Sequence, residues 1–140
     1  MAYATLDDIR ERLPEESLVN LTDDSGAGVV DEAAVARAIA DADAEIEGYL
    51  ATRHALPLDP VPNLVRKLSV ELAIYHLHSR RGGAPEEWRK RYEDGRRLLE
   101  NIAKGLVSLG GAPDPGQPAD GTAQAKSAAR VLSRAGLRDF

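Results

Sequence analysis

Several kinds of functional site are absent from this 140-residue sequence. It contains no cysteine, which excludes disulfide bonds, thiolate nucleophiles and cysteine-ligated metals and is typical of proteins made in a reducing compartment. The patterns Gly-x-Gly-x-x-Gly, Gly-x4-Gly-Lys-Ser/Thr and Gly-x-Ser-x-Gly do not occur, so neither a phosphate-binding glycine loop nor a nucleophile elbow is indicated. We therefore expect no enzyme: no catalytic residue and no cofactor.

Aromatic residues and long apolar stretches are also scarce. Only 4% of the residues are aromatic, and no run of apolar residues is long enough to cross a bilayer. Because the opening segment MAYATLDDIRERL lacks a basic patch followed by an apolar stretch, we expect neither a signal peptide nor a membrane partner. The 43% hydrophobic content is mostly alanine and leucine, which favours an all-α fold.

The spacing of apolar residues predicts a small bundle of about four to five helices. Thr5 and Asp31 are placed to cap helix N-termini, and Pro85 is favourable at a helix start. The fourth segment is apolar on nearly every side and should be the central helix. The predicted helices cover residues 6–13, 14–21, 32–53, Asn63–Ser79 and 86–104.

Glycine and proline become frequent after residue 109, and apolar periodicity stops there. This predicts a helical domain at 1–109, a flexible linker at 110–124 and a C-terminal docking segment at 125–140. The segment has too few apolar side chains for a core of its own, so we expect it to dock on a partner; packing back on its own domain is the alternative. The docking residues are predicted to be Arg130, Val131, Leu132, Arg134, Leu137, Arg138 and Phe140.

Charge is distributed unevenly along the chain. Residues 1–62 contain 14 acidic and 4 basic side chains, whereas residues 63–140 contain 9 acidic and 14 basic ones. The basic half could contact nucleic acid, the acidic surface of one copy could meet the basic surface of the next, or the two halves could simply fold together. Candidate subunit-interface residues are Asp41, Glu45, Arg89, Arg96 and Arg97.

Two patterns resemble metal sites. His76 and His78 are two residues apart and would point about 200° from one another on a helix, so one ion cannot bind both. The segment 23–34 matches an EF-hand loop at Asp23, Ser25 and Gly28, but alanines occupy its fifth and twelfth positions. A polar turn explains the same residues, and we predict no metal ligand.

A DNA-binding function is the alternative. Arg89, Arg91, Arg96 and Arg97 could contact phosphates in a small helical packaging or regulatory protein. Acidic residues are interleaved with these arginines, and the sequence pI is about 5.2. A solvated or subunit-facing helix is therefore favoured over DNA binding.

Four blocks of the sequence resemble the neck proteins of Mu-type phages and prophages. They are YATLDD at 3–8, the stretch at 21–58 that contains an Asp-x-x-Gly-x-Gly loop, RKRYEDGRRLLENIAKGLVSLG at 89–110 and RVLSRAGLRDF at 130–140. The resemblance implies a non-enzymatic head-completion protein that adapts head to tail.

The same resemblance implies the partners and the location. Copies would form a ring that matches the portal's twelvefold symmetry, and the ring would join the portal protein to a stopper or tail-completion protein. Double-stranded DNA would pass through the ring without sequence-specific binding. The protein would lie in the virion neck, at the head-tail junction, and in the host cytoplasm during assembly.

Overall fold

The computed structural model describes residues 2–109, and these residues form five α-helices joined by turns and loops. Thr5 and Asp31 cap helix N-termini with their side chains, as predicted. The all-α prediction is confirmed for the described residues. The helices are α1 (Leu6–Arg10), α2 (Glu15–Thr22), α3 (Glu32–Leu50), α4 (Asn63–Ser79) and α5 (Glu86–Ala103).

The longest three helices form the body of the domain, and α4 contacts every other helix. Leu68, Leu72 and Ile74 of α4 are at most 2% exposed, as expected for a helix that is apolar on nearly every side. Helices α4 and α5 run antiparallel, with His78 beside Trp88 and Leu68 beside Gly95. The short helices α1 and α2 pack against both α3 and α4.

Side chains define the N-termini of α1 and α3. The Asp8 backbone N–H donates to the Thr5 hydroxyl, and the Asp8 carboxylate accepts the Thr5 backbone N–H in return, which is a capping box. Asp31 accepts the N–H groups of Ala33 and Ala34. These contacts satisfy backbone donors that have no partner inside a helix.

Three predicted helix ends lie beyond the observed ones. Helix α1 ends at Arg10 rather than residue 13, α3 ends at Leu50 rather than residue 53, and α5 ends at Ala103 rather than residue 104. Arg53 instead donates to the carbonyl oxygens of Ala103 and Lys104 at 2.9 and 3.3 Å, where α5 ends. Because Gly105 has φ of +76°, the chain turns away there, and Leu106 is 73% exposed.

The segment before α1 belongs to the core, which the sequence did not indicate. Tyr3 is 2% exposed, and its backbone N–H donates to the Asp43 carboxylate at 2.9 Å. Its hydroxyl donates to Glu47 at 2.7 Å and accepts the Leu58 N–H at 3.1 Å. One side chain therefore joins the N-terminal segment, α3 and the loop that precedes α4.

The predicted linker, the docking segment and all seven docking residues lie outside the described residues, so these predictions stand as made. Within residues 2–109, none of the helices combines the length and apolar character needed to span a bilayer.

Candidate functional site

A cluster of polar and aromatic side chains joins α3, α4 and α5 around Glu45. The carboxylate accepts the Tyr92 hydroxyl at 2.9 Å, and Arg96 Nε lies 3.8 Å from it. His76 Nε2 lies 3.3 Å from the second carboxylate oxygen but is not aligned for a hydrogen bond. Tyr75 stacks on Tyr92, with ring centroids 3.9 Å apart and planes within 8°.

This cluster brings together two of the five predicted interface residues, Glu45 and Arg96, but inside one chain. Glu45 is half-buried. Burial of the Tyr92 phenol, followed by its hydrogen bond to Glu45, raises the pKa of Tyr92 to about 12. The Arg96 side chain also donates to the Tyr49 hydroxyl at 3.4 Å. Glu45 and Arg96 therefore hold α3 and α5 together, and their contact with a second subunit stays a prediction.

The other three predicted interface residues lie on the surface. Asp41 on α3 and Arg89 on α5 are exposed. Arg97 is 72% exposed and forms only a helix-surface pair with Asp94 at 3.4 Å. Such exposed pairs contribute roughly 0–1 kcal/mol, so Arg97 can exchange its partner at little cost. Asp41, Arg89 and Arg97 are accessible to a partner.

Helix α5 is not the basic helix that the DNA-binding alternative requires. From Glu86 to Ala103 it contains five acidic and five basic side chains, so its formal charge is zero. Arg91 pairs with Glu87 at 2.7 Å and lies over the Trp88 ring at 4.8 Å. Arg91 and Arg96 have acidic and aromatic partners within the chain, whereas Arg89 and Arg97 remain accessible. The zero net charge of the helix is therefore what disfavours phosphate binding.

The loop between α2 and α3 is closed by its own aspartate. Asp23 accepts the backbone N–H groups of Ser25, Gly26, Ala27 and Gly28, the last at 2.7 Å. These bonds, led by the one from Gly28, hold the pKa of Asp23 below its ordinary value. N–H donors surround the carboxylate where a cation would need oxygen ligands, so the geometry favours the polar turn over a calcium loop.

Two arginines connect this loop to the end of α4. Arg80 and Arg81 donate to the Asp24 carboxylate at 2.6 and 2.5 Å. Both arginines also donate to the Leu21 carbonyl oxygen, at 2.9 and 3.5 Å. The sequence shows an acidic loop and a basic helix end but not that the two lie in contact. This ion-paired contact was therefore missed in the sequence analysis.

The two histidines of α4 point apart, as their spacing predicted. His76 lies beside Glu45, whereas His78 stacks near Trp88, with ring centroids 6.5 Å apart. Burial lowers the pKa of His78. In residues 2–109 no three acidic or histidine side chains converge in a way that could hold a metal ion.

Comparison with known proteins identifies relatives of the chain. The family model described as Bacteriophage Mu, Gp36 matches residues 3–128. The Mu-like prophage FluMu protein gp36 of Haemophilus influenzae is 40% identical over 85 residues, which cover 61% of this chain and 59% of that protein. Gene product J of Escherichia phage Mu is 36% identical over 111 residues, covering 79% of this chain and 77% of the phage protein.

Proposed function

Because the chain belongs to the Bacteriophage Mu Gp36 family, we propose that it is a structural head-to-tail adaptor of a tailed phage or prophage. Copies form a ring beneath the portal protein and join it to a stopper or tail-completion protein. Double-stranded DNA passes through the ring without sequence-specific binding. The protein lies in the virion neck, and in the host cytoplasm during assembly, and it performs no catalysis.

The match over residues 3–128 is the observation that carries this proposal. The distribution of charge along the described residues supports it. Helix α3 has five acidic side chains and one basic one, whereas residues 63–109 have ten basic and six acidic ones. A closed head-to-tail ring requires two different complementary patches on each copy. Asp41 on α3 and Arg89 and Arg97 on α5 are accessible members of two such patches.

A ring of twelve copies, one for each portal subunit, would make individually weak contacts sufficient. Exposed ion pairs contribute little singly, but contacts that act together on a symmetric partner raise the effective concentration of each subunit. The C-terminal segment 125–140 strengthens this assembly by docking on a partner.

Infection by phage that carry altered copies of the gene tests the proposal. We expect deletion of residues 122–140 to give DNA-filled or leaking heads without tails. The triple change to alanine at Arg130, Arg134 and Arg138 should have the same effect. Its matched control, which removes equal charge elsewhere, changes Arg37, Arg66 and Lys104 to alanine.

Electron microscopy of the particles and infectious titre are the measurements. Tailless heads from the deletion, with normal particles from the control, support the adaptor function. Infectious, tailed particles from phage that lack the protein entirely would overturn it.

A further inference from the structure

An apolar groove of about 550 Å³ lies between the N-terminal segment and α3. Leu6, Val35 and Ile39 contribute to its walls, together with the small side chains of Ala36 and Ala40. Both alanines are exposed to solvent although they line the apolar groove. The groove could therefore accept side chains from another segment without rearrangement of the helix.

Every charged residue that lines the groove is acidic. Glu32 is exposed at its α3 N-terminal end. Asp43 and Glu47 are held in place by their hydrogen bonds to the Tyr3 backbone N–H and hydroxyl, at 2.9 and 2.7 Å. An apolar groove with fixed carboxylates favours an occupant that carries apolar side chains flanked by cations.

The C-terminal segment 125–140 has this composition. It contains four basic residues against Asp139 alone, so its side chains carry a net charge of +3. Val131 and Leu132 lie between Arg130 and Arg134. We propose that the groove on one copy binds the C-terminal segment of a neighbouring copy, with Val131 and Leu132 in the groove and the arginines against its carboxylates. This inference rests on the proposed ring and names the surface that receives the segment.

The linker is long enough for this connection. Helix α5 ends beside the end of α3, where Arg53 donates to the Ala103 carbonyl oxygen at 2.9 Å. The 15 residues of the linker 110–124 can span about 50 Å when extended, whereas the 19-residue α3 is about 28 Å long. The segment can therefore reach past its own domain.

The proposed ring favours docking between copies over docking within one chain. If the C-terminal segment bound the groove of its own chain, neither the segment nor the groove would be available to the next subunit. Exchange between neighbours uses each surface once per copy and closes the ring, as head-to-tail symmetry requires.

Disulfide trapping between two full-length chains tests the proposal, because the native sequence has no cysteine. One chain carries Ala40→Cys in the groove and the other carries Leu132→Cys in the segment. The control acceptor carries Asn20→Cys, at an exposed position of α2 outside the groove. We expect the groove pair to form the mixed disulfide at least roughly tenfold faster than the control pair, because docking raises the effective concentration of the two thiols.

Two further variants make the test decisive. Charge reversal by Arg130→Glu and Arg134→Glu in the Leu132→Cys chain should return the rate to that of the control. Equal rates for groove and control acceptors would overturn the proposal. So would a chain with both Ala40→Cys and Leu132→Cys that forms its disulfide only within itself.

The outcome is separable from that for the adaptor function. If the protein assembles on the portal and the groove pair is not trapped even in that assembly, the adaptor function stands and this docking site is wrong. If the groove pair is trapped but the protein never associates with a portal, the segment joins copies of a protein that is not an adaptor.

Discussion

The buried leucines of α4 are the residues on which the fold depends most directly. Leu72 is fully buried, and we expect Leu72→Ala to lower the free energy of unfolding by about 2–5 kcal/mol, the usual cost of a cavity at a buried leucine. Chemical denaturation measures the change. Asp41→Ala, at an exposed site on α3, is the control and should change stability by less than about 0.5 kcal/mol. Equal effects would show that α4 is not central.

Asp43 makes stability depend on pH in a direction that the structure specifies. The carboxylate is 7% exposed, and burial raises its pKa above the ordinary value of 3.8 against the opposing hydrogen bonds from Ser69 and Tyr3. Protonation of a group whose pKa is raised on folding favours the folded state. That contribution is complete below pH 3.8 and is lost as the pH rises through the folded-state pKa.

Asp43→Asn removes this titration while keeping an oxygen that can accept the Tyr3 N–H. We therefore expect the stability of the native protein relative to the variant to fall as the pH is raised from about 3 towards 7. Denaturation curves at several pH values measure the difference. Parallel stability profiles for the two proteins would contradict the effect assigned to Asp43.

At the residue scale, local signals were predictable and distant partners were not. The caps at Thr5 and Asp31 are local, because each side chain bonds within three residues along the chain. The partners of Asp43 are Tyr3 and Ser69, 40 and 26 residues away. A single sequence carries no signal for such separations, so the buried Tyr3 and Asp43 were missed.

At the scale of elements, the approach of α4 and α5 depends on Gly95. A Cβ atom at this position would lie 3.3 Å from side-chain carbons of both Leu68 and Leu72, which are themselves buried. Gly95→Val should therefore destabilise the protein by about 1–3 kcal/mol through overpacking.

Gly48 provides a matched control for that substitution. It lies in α3, and a Cβ atom there would meet nothing within 4 Å. Gly48→Val should leave stability unchanged or raise it by a few tenths of a kcal/mol, because valine has the higher helix propensity. Thermal melts of the two variants compare them directly. If Gly95→Val were tolerated as well as Gly48→Val, the close packing of α4 against α5 would be wrong.

The helices themselves were largely predictable because their signals are periodic and local. Asn63–Ser79 was predicted at both ends, since prolines precede it and a glycine pair follows it. The third helix was predicted three residues too long. The sequence of residues 51–53 is compatible with a helix. The Arg53 side chain instead donates to carbonyl oxygens at the end of α5, some 50 residues away.

At the scale of the whole molecule, we expect copies of the protein to associate through charged side chains more than through exposed apolar side chains. The described surface has only two strongly exposed large apolar residues, Val29 and Leu106. We expect the purified protein to be monomeric or weakly associating, because exposed ionic contacts are individually weak and screened by salt. Sedimentation at low and high salt measures this. A tight dimer that persists at high salt would contradict it.

The charge of each half can be counted from the sequence, but the pairing of individual charges within the folded chain cannot. Glu45 and Arg96 were predicted as subunit-interface residues; the fold places them 3.8 Å apart within one chain, and their contact with a second subunit stays a prediction. Only the packing of α3 beside α5 decides which charges remain available, and that packing is a long-range property. Asp41, Arg89, Arg96 and Arg97 are exposed, and Glu45 is half-buried.

The most direct test of the central claim is the mass of the complex that we propose this protein forms with the portal of the same phage. Native mass spectrometry of the mixture should give a portal carrying twelve copies of the 15.1 kDa chain, while the chain alone stays small. A portal that carries no copies under conditions where both proteins are folded would contradict the adaptor function.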